Sequence, residues 1–159
     1  KAAGTVIMKE AGTVGVKAVA AKDNIIAVKI KSTRMLLAYG FLRKIFEVFE
    51  TYKTSIDMIT TSEVAVSVTI DNDLHLDEII AELSNIASVE VERSQTIVSI
   101  VGNEIAMTDS ILKKLFNSID EIPITMVSYG GSAHNISLLI PSEHKTKTLQ
   151  LINKGLFNL

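Results

Sequence analysis

The chain has 159 residues, 47% of them apolar, which is enough for one ordinary domain or two small ones and excludes a disordered chain. Its net charge of −2 gives no basic surface for nucleic acid, and the absence of cysteine excludes disulfides, thiolate metal sites and a cysteine nucleophile. No apolar run reaches the roughly 18 residues of a membrane span, and the first residues lack a signal-peptide pattern. We therefore expect a cytoplasmic protein without nucleic-acid or membrane partners. Because the sequence begins at Lys1, we also expect a processed product or a piece of a longer protein.

The sequence matches itself at a shift of 70 residues. Residues 27–30 align with 97–100, 41–46 with 111–116 and 55–59 with 125–129, and the register continues without a gap to Ile70 and Ile140. A repeat of this length indicates a small domain used twice. Positions at which the two copies differ then indicate where a ligand could bind.

The first copy has the predicted order βαββαβ. Short β-branched runs predict its strands, and apolar residues at helical spacing predict two amphipathic helices. The predicted elements are a strand at 25–30, a helix that begins at Phe41, strands at 55–61 and 64–70, a helix at 76–83 and a strand at 87–91.

The second copy repeats this order but lacks its last strand. Its predicted elements are a strand at 96–101, a helix at 109–119 with Asp109 as N-cap, strands at 124–129 and 135–140, and a helix at 143–156. The spare strand-like segment at residues 14–20 precedes the first copy, so we expect it to complete the sheet of the second. The predicted fold is α+β, with two ferredoxin-like βαββαβ domains, antiparallel sheets with helices on one face, and the first domain inserted in the second. Residues 1–24 form the junction and completing strand, 25–93 the first domain and 94–159 the second.

The copies differ in two carboxylates. Asp57 and Glu63 of the first copy align with Val127 and Ala133 of the second. A carboxylate in an apolar strand is costly to bury unless a cation or hydrogen-bond donors meet it. The alternative is an edge strand in which Asp57 faces water, and the residues alone leave both interpretations open.

The start of the first helix differs in a related way. Gly40 aligns with Ser110, and a glycine allows a ligand to approach the backbone closely. The N–H groups of Phe41 and Leu42 at the helix start form a natural seat for an anion. A ligand with a carboxylate at one end and an ammonium at the other, that is an amino acid, would satisfy both this seat and Asp57.

Several runs resemble the regulatory region of lysine-sensitive aspartate kinases. They are Ser32-Thr-Arg-Met-Leu36, Tyr39-Gly-Phe-Leu42 and Ser55-Ile-Asp-Met-Ile-Thr-Thr-Ser-Glu-Val64, with Ile100-Val-Gly-Asn103 and Ser128-Tyr-Gly-Gly-Ser-Ala-His-Asn135 similar to that family's second regulatory repeat. The resemblance covers essentially the whole chain and implies tandem ACT domains with an inserted topology. It further implies that the kinase domain, which binds ATP and Mg and phosphorylates L-aspartate, is missing. The fragment itself would then hold no catalytic residue, metal or cofactor.

The resemblance also implies an effector site in the first domain. Carried over residue by residue, the site consists of Met35, Gly40, Phe41, Leu42, Ser55, Ile56, Asp57, Thr61, Ser62 and Glu63. It lies where the first ACT domains of two chains meet, so the partner is a second copy in a homodimer. L-lysine would place its carboxylate on the amides of Gly40 to Leu42 and an ammonium on Asp57, and would inhibit the chain's own kinase domain by feedback.

Ala38 departs from the family pattern, because some members carry a serine that helps to hold the ligand. Two alternatives therefore stay open. One is an ACT dimerisation module that binds no ligand. The other is a sensor for threonine or another small metabolite, although an uncharged effector side chain would leave Asp57 with less to do.

Overall fold

The structure is a computed structural model that describes residues 14–32 and 39–157. Six strands form a single antiparallel sheet in the order β2-β3-β1-β4-β6-β5. No helix in these two ranges is long and apolar enough to cross a membrane. The elements are β1 (Gly15–Lys31), α1 (Phe41–Thr51), β2 (Ile59–Thr61), β3 (Ala65–Ile70), α2 (Leu76–Leu83), β4 (Ser88–Asn103), α3 (Ile111–Ser118), β5 (Met126–Ser128), β6 (Asn135–Pro141) and α4 (Lys145–Phe157), with 3-10 turns at Ile105–Met107 and Ser142–His144.

Two long strands, β1 and β4, pass through both repeats. Their first-repeat halves join β2 and β3 in the order β2-β3-β1-β4, and their other halves join β6 and β5 in the order β1-β4-β6-β5. Both orders are ferredoxin-like. The predicted role of the N-terminal strand is confirmed, because Val16 pairs with Gly102 and Ala20 with Ser99 of the second repeat. The first repeat is therefore inserted between the strands of the second.

The strands are more continuous than we predicted. The separate strands expected at 14–20 and 25–30 are one strand, as are those expected at 87–91 and 96–101. Asn24 and Ser94 adopt left-handed backbone angles, with φ of 60° and 56°, and the register of β1 against β4 shifts around Ile25. Such irregularities bend a strand without ending its ladder. The expected domain boundaries after residues 24 and 93 thus fall at bends inside strands, and the division into domains remains an interpretation.

Each repeat has its own core on the face that the helices cover. In the first repeat, alternate residues of β1 and β3, such as Val28 and Val68, pack against Ile45 and Phe49 of α1 and Leu83 of α2. The second core repeats this arrangement with a different set, which includes Ile100, Leu115, Leu138 and Ile152. This placement confirms helices on one face of an antiparallel sheet.

A third apolar cluster lies on the opposite face of the sheet, between the repeats. Its members are Ile25, Ala27, Met58, Ile97, Met126 and Leu139, all less than 9% exposed. The edge strands β2 and β5 lie close to each other, so the two helix-free faces fold together around this cluster. Farther along the same face of the first repeat, Lys29 pairs with Glu92 at 2.5 Å and Lys31 with Glu90 at 2.9 Å. On this helix-free face, therefore, the centre is apolar and buried, and the part farther along the first repeat carries ion pairs.

Local corrections concern strand lengths and one helix cap. Strands β2 and β5 are shorter than predicted, and β1 and β4 hold the centre of the sheet. The prediction of Asp109 as N-cap is wrong, because Ser110 precedes α3 in the left-handed conformation and no side chain caps that helix. Helix α2 spans the predicted residues 76–83, and β3 starts one residue later than predicted.

Candidate functional site

The start of helix α1 carries three of the predicted site residues. Gly40 precedes the helix in the left-handed conformation, with φ of 79°, and its carbonyl accepts the N–H of Lys44 at 3.1 Å. Gly40 has no side chain to cap this helix, so among the described residues no side-chain cap meets the first N–H groups, those of Phe41 and Leu42. A Cβ at Gly40 would meet nothing within 4 Å. Glycine is therefore favoured here by backbone conformation and not by crowding.

The backbone at this helix start is shared by both repeats. Ser110 has φ of 63° in front of α3, close to the value at Gly40. The glycine-to-serine difference between the repeats thus leaves the backbone conformation unchanged and alters only the side chain. Phe41 is buried in the first core, whereas Leu42 is 40% exposed and Tyr39 is fully exposed. The helix start consequently presents backbone N–H groups beside exposed apolar side chains.

Asp57 lies just before strand β2, at the edge of the sheet. Its N–H donates to the carbonyl of Thr69 at 2.9 Å, which holds the backbone next to β3. Its carboxylate accepts hydrogen bonds from Lys22 Nζ at 2.8 and 2.9 Å, and the same ammonium lies 2.8 Å from Asp71. Both interpretations of Asp57 therefore hold in part. The residue is at an exposed edge, and it also has a cation.

The lysine that meets Asp57 was missed in the sequence. Lys22 is 35 positions away, in the half of β1 that pairs with the second repeat. The carboxylates of Asp57 and Asp71 raise the pKa of Lys22, and Lys22 in turn lowers the pKa of Asp71. No pattern in the sequence indicated this contact, because Lys22 lies in the predicted junction between the separate strands expected at 14–20 and 25–30.

Ser55 and Ile56 precede Asp57 in an extended segment. Ser55 is exposed, as Asp57 is, whereas Ile56 packs against the first core. This alternation is that of a strand, although ladder pairing begins only at Ile59. The predicted polar residues of the segment thus share the solvent side.

Thr61, Ser62 and Glu63 lie at the other end of β2, in the turn to β3. All three are exposed, and the N–H of Ser62 donates to the carbonyl of Ala65 at 2.8 Å. Glu63 makes no ion pair within residues 14–32 and 39–157. Thr61 lies four positions after Asp57, about 13 Å along an extended strand. A single chain therefore holds the predicted carboxylates too far apart to share one amino-acid ligand.

A groove of about 680 Å³ opens beside this turn. It lies where β1 ends, and the N–H of Ser32 donates there to the carbonyl of Val64 at 2.9 Å. Small and polar side chains dominate its described lining, which consists of Lys31, Ser32, Val64, Ala65 and residues 84–88. None of the predicted site residues that the structure describes lines this groove, although Glu63 directly precedes Val64 of the lining. Met35 and Ala38 lie outside the described residues.

The second repeat uses the corresponding region for internal contacts. Tyr129 donates its hydroxyl to the carbonyl of Ala106 at 2.7 Å, and Nδ1 of His134 accepts the N–H of Glu104 at 3.2 Å. These bonds fix the loop before α3. No cluster of histidine and carboxylate side chains in the described part of the chain is suited to a metal ion. Charged groups that could hold a ligand, Asp57 and Glu63, therefore belong to the first repeat.

Comparison with known proteins identifies the family. A family model described as ACT domain matches residues 98–156. Lysine-sensitive aspartokinase 3 of Escherichia coli is 32% identical over 149 residues, which are 89% of this chain and 33% of that protein. The aspartokinase of Schizosaccharomyces pombe is 35% identical over 147 residues, 89% of this chain and 28% of that protein. The chain thus spans about a third of the length of these curated relatives.

Solved structures agree with these relatives. A candidate C-terminal regulatory domain of aspartate kinase from Porphyromonas gingivalis W83 is 44% identical, with a TM-score of 0.80 over 89% of this chain and 97% of that one. E. coli aspartokinase III in complex with lysine and aspartate, in the T-state, is 33% identical, with a TM-score of 0.80 over 89% of this chain and 33% of that one. The chain therefore belongs to the aspartate kinase family and corresponds to its C-terminal, ACT-containing regulatory region.

Proposed function

We propose that this chain is the amino-acid-sensing part of an aspartate kinase, and that L-lysine is its effector. The observation that carries the proposal is the contact of Asp57 with the ammonium of Lys22, at 2.8 and 2.9 Å. This carboxylate stands at an exposed sheet edge in a geometry that already accepts the ammonium of a lysine side chain. The uncapped start of α1 would take the ligand's carboxylate.

The site requires two copies of the chain. Asp57 and the turn at Thr61–Glu63 lie at opposite ends of β2, which is an edge strand of the sheet. If two copies meet antiparallel at this edge about a two-fold axis, Asp57 of one copy comes to the level of Thr61, Ser62 and Glu63 of the other. We therefore propose a homodimer through the first repeat, with each ligand held by groups from both chains.

The kinase activity itself belongs to the part of the protein outside this chain. That part would bind ATP and Mg and phosphorylate L-aspartate, and this chain would act on it without a catalytic residue of its own. Lysine can inhibit a distant kinase site only if it binds one arrangement of the dimer more tightly than the other. E. coli aspartokinase III, whose lysine-bound structure is called the T-state, supports this proposal by analogy.

A second candidate function is a dimerisation module that binds no ligand. The same ion pair favours it, because Asp57 already has a cation from its own chain and needs no ligand for its charge. A threonine sensor is the third candidate, since threonine would still offer an α-ammonium to Asp57.

A thermal-shift screen of the 159-residue chain with single amino acids separates these candidates. A ligand at about 100 times its Kd stabilises the folded state by about 2.7 kcal/mol, which corresponds to about 5–10 °C for a chain of this size. We expect L-lysine to give such a shift, with L-norleucine, which lacks the ε-ammonium, as the matched control. A shift with L-threonine alone would support the third candidate. The absence of any shift across the screen would support the module without ligand.

A further inference from the structure

Lys22 joins the two repeats electrostatically. It lies in the half of β1 that pairs with the second repeat, opposite Ile97. Its ammonium nevertheless contacts two carboxylates of the first repeat, Asp57 before β2 and Asp71 after β3. The three side chains are between a quarter and a half exposed, so water and small solutes reach them.

The contact with Asp57 uses both of its carboxylate oxygens. Nζ of Lys22 lies 2.8 Å from one oxygen and 2.9 Å from the other, so a second ammonium cannot take the same position. Two cations about 4 Å apart repel by about 1 kcal/mol even in water and by more near a protein surface. A ligand ammonium that pairs with Asp57 therefore competes with Lys22 and favours its movement away from this carboxylate.

Asp71 offers the displaced ammonium a second partner. It lies 2.8 Å from Lys22 Nζ, and at 43% exposure it can follow the lysine outward. Lys22 can thus give up Asp57 and remain paired. This arrangement makes displacement less costly than the loss of an ion pair.

We propose that Lys22 is a built-in competitor for the effector's ammonium and that Asp71 holds Lys22 once the effector has displaced it. The proposal rests on the proposed function, because it concerns the same carboxylate. Lys22 then sets both affinity and selectivity. A ligand with a neutral side chain cannot pair with Asp57 in place of Lys22, so it gains no binding energy by displacing this lysine. A ligand whose ammonium reaches Asp57 restores the ion pair that displacement breaks.

Displacement also connects the site to the second repeat. The ion pair of Lys22 with Asp57 ties β1, where it pairs with the second repeat, to the segment just before β2 of the first repeat. An effector that displaces Lys22 from Asp57 leaves it paired with Asp71, and so weakens the link between the repeats without touching the second one. If the effector binds one conformation of the dimer more tightly than the other, the weakened link between the repeats would carry this difference to the second repeat.

Calorimetric titration of L-lysine into variants of the 159-residue chain tests the proposal. Lys22→Met should lower the Kd by about two- to fivefold, the effect of removing an exposed ion pair that competes with the ligand. Lys22→Arg, which keeps the charge, should bind like the parent. Lys29→Met is the matched control, because Lys29 lies on the same strand and pairs with Glu92 away from the site, and its Kd should not change.

A double-mutant cycle tests the part played by Asp71. Asp71→Asn alone should raise the Kd about twofold, because displaced Lys22 loses its second partner. In the Lys22→Met background the same substitution should have no effect, since no ammonium remains to be held. Melting temperatures of all variants show whether each one folds.

The possible results separate this proposal from the function on which it rests. If the parent binds L-lysine and Asp57→Asn weakens binding, but Lys22→Met leaves the Kd unchanged or raises it, the competitor proposal is overturned and the effector site stands. If the parent and Lys22→Met both bind no L-lysine, the proposed function fails and the competitor fails with it. If only Lys22→Met binds, Lys22 blocks the site and the competitor proposal is supported.

Discussion

Replacement of Asp57 by alanine should weaken L-lysine binding, and the structure sets the size of the effect. Truncation of one partner of a buried charge pair costs about 2–5 kcal/mol, whereas an exposed pair contributes about 0.2–1 kcal/mol. The side chain of Asp57 keeps 26% of its exposure. The binding free energy that the ligand's ammonium gains from Asp57 is also partly offset, because the ion pair between Lys22 and Asp57 is lost. We therefore expect a loss of about 1–2 kcal/mol, or about five- to thirtyfold in Kd.

Calorimetric titration of L-lysine measures this loss directly. The matched control is Asp73→Ala, because Asp73 belongs to the same repeat and pairs with Arg93 at 2.9 Å away from β2. The control should bind like the parent chain. An Asp57→Ala variant whose Kd stays within twofold of the parent would refute the assignment of this carboxylate to the effector, and an equal loss in both variants would indicate a general electrostatic effect.

Two further predictions concern assembly and acid stability. Ile59→Lys, on the 44% exposed edge residue of β2, should dissociate the homodimer, whereas Leu74→Lys, in the 73% exposed turn before α2, should not. Sedimentation equilibrium measures this, and a dimer that survives Ile59→Lys would exclude the β2 edge. Lys22 lowers the pKa of Asp71, and Lys31 lowers the pKa of Glu90. Both ion pairs therefore stabilise the folded state above about pH 4. This stabilisation is lost as the pH falls through the lowered pKa values. The free energy of unfolding, from urea titrations between pH 2 and pH 7, should therefore fall with acid and fall less steeply in Asp71→Asn, and equal slopes would contradict this assignment.

The sheet could be predicted because its logic is local and repetitive. Alternating apolar residues in β3 and the helical spacing in α1 and α2 determine which faces are buried. The second repeat lacks its last strand in the sequence, which would leave the backbone groups at one edge of its sheet without hydrogen-bond partners. This gap predicted that the N-terminal strand pairs with the second repeat. Register at the bends could not be predicted, because Asn24 and Ser94 look like turn residues and their left-handed angles depend on the pairing of β1 with β4.

The candidate site could be predicted only in part. Comparison of the copies selected Asp57 and Glu63, since a difference between repeats is visible in the sequence. The distance between them along β2 follows from the strand, but the partner Lys22 does not. Its contact with Asp57 requires the crossing of β1 between repeats, which brings together residues that no local pattern relates.

The two shared strands also determine how this chain can fold. The first repeat is formed by one continuous stretch of sequence, so its strands can pair as soon as that stretch exists. The second repeat needs Gly15, near the beginning of the described chain, to reach Asn103, and the described residues after β6 form a 3-10 turn and a helix, not another strand. Loop closure over such a separation is slow compared with local pairing. We expect the first repeat to form early and to act as the template on which the second-repeat halves of β1 and β4 later pair.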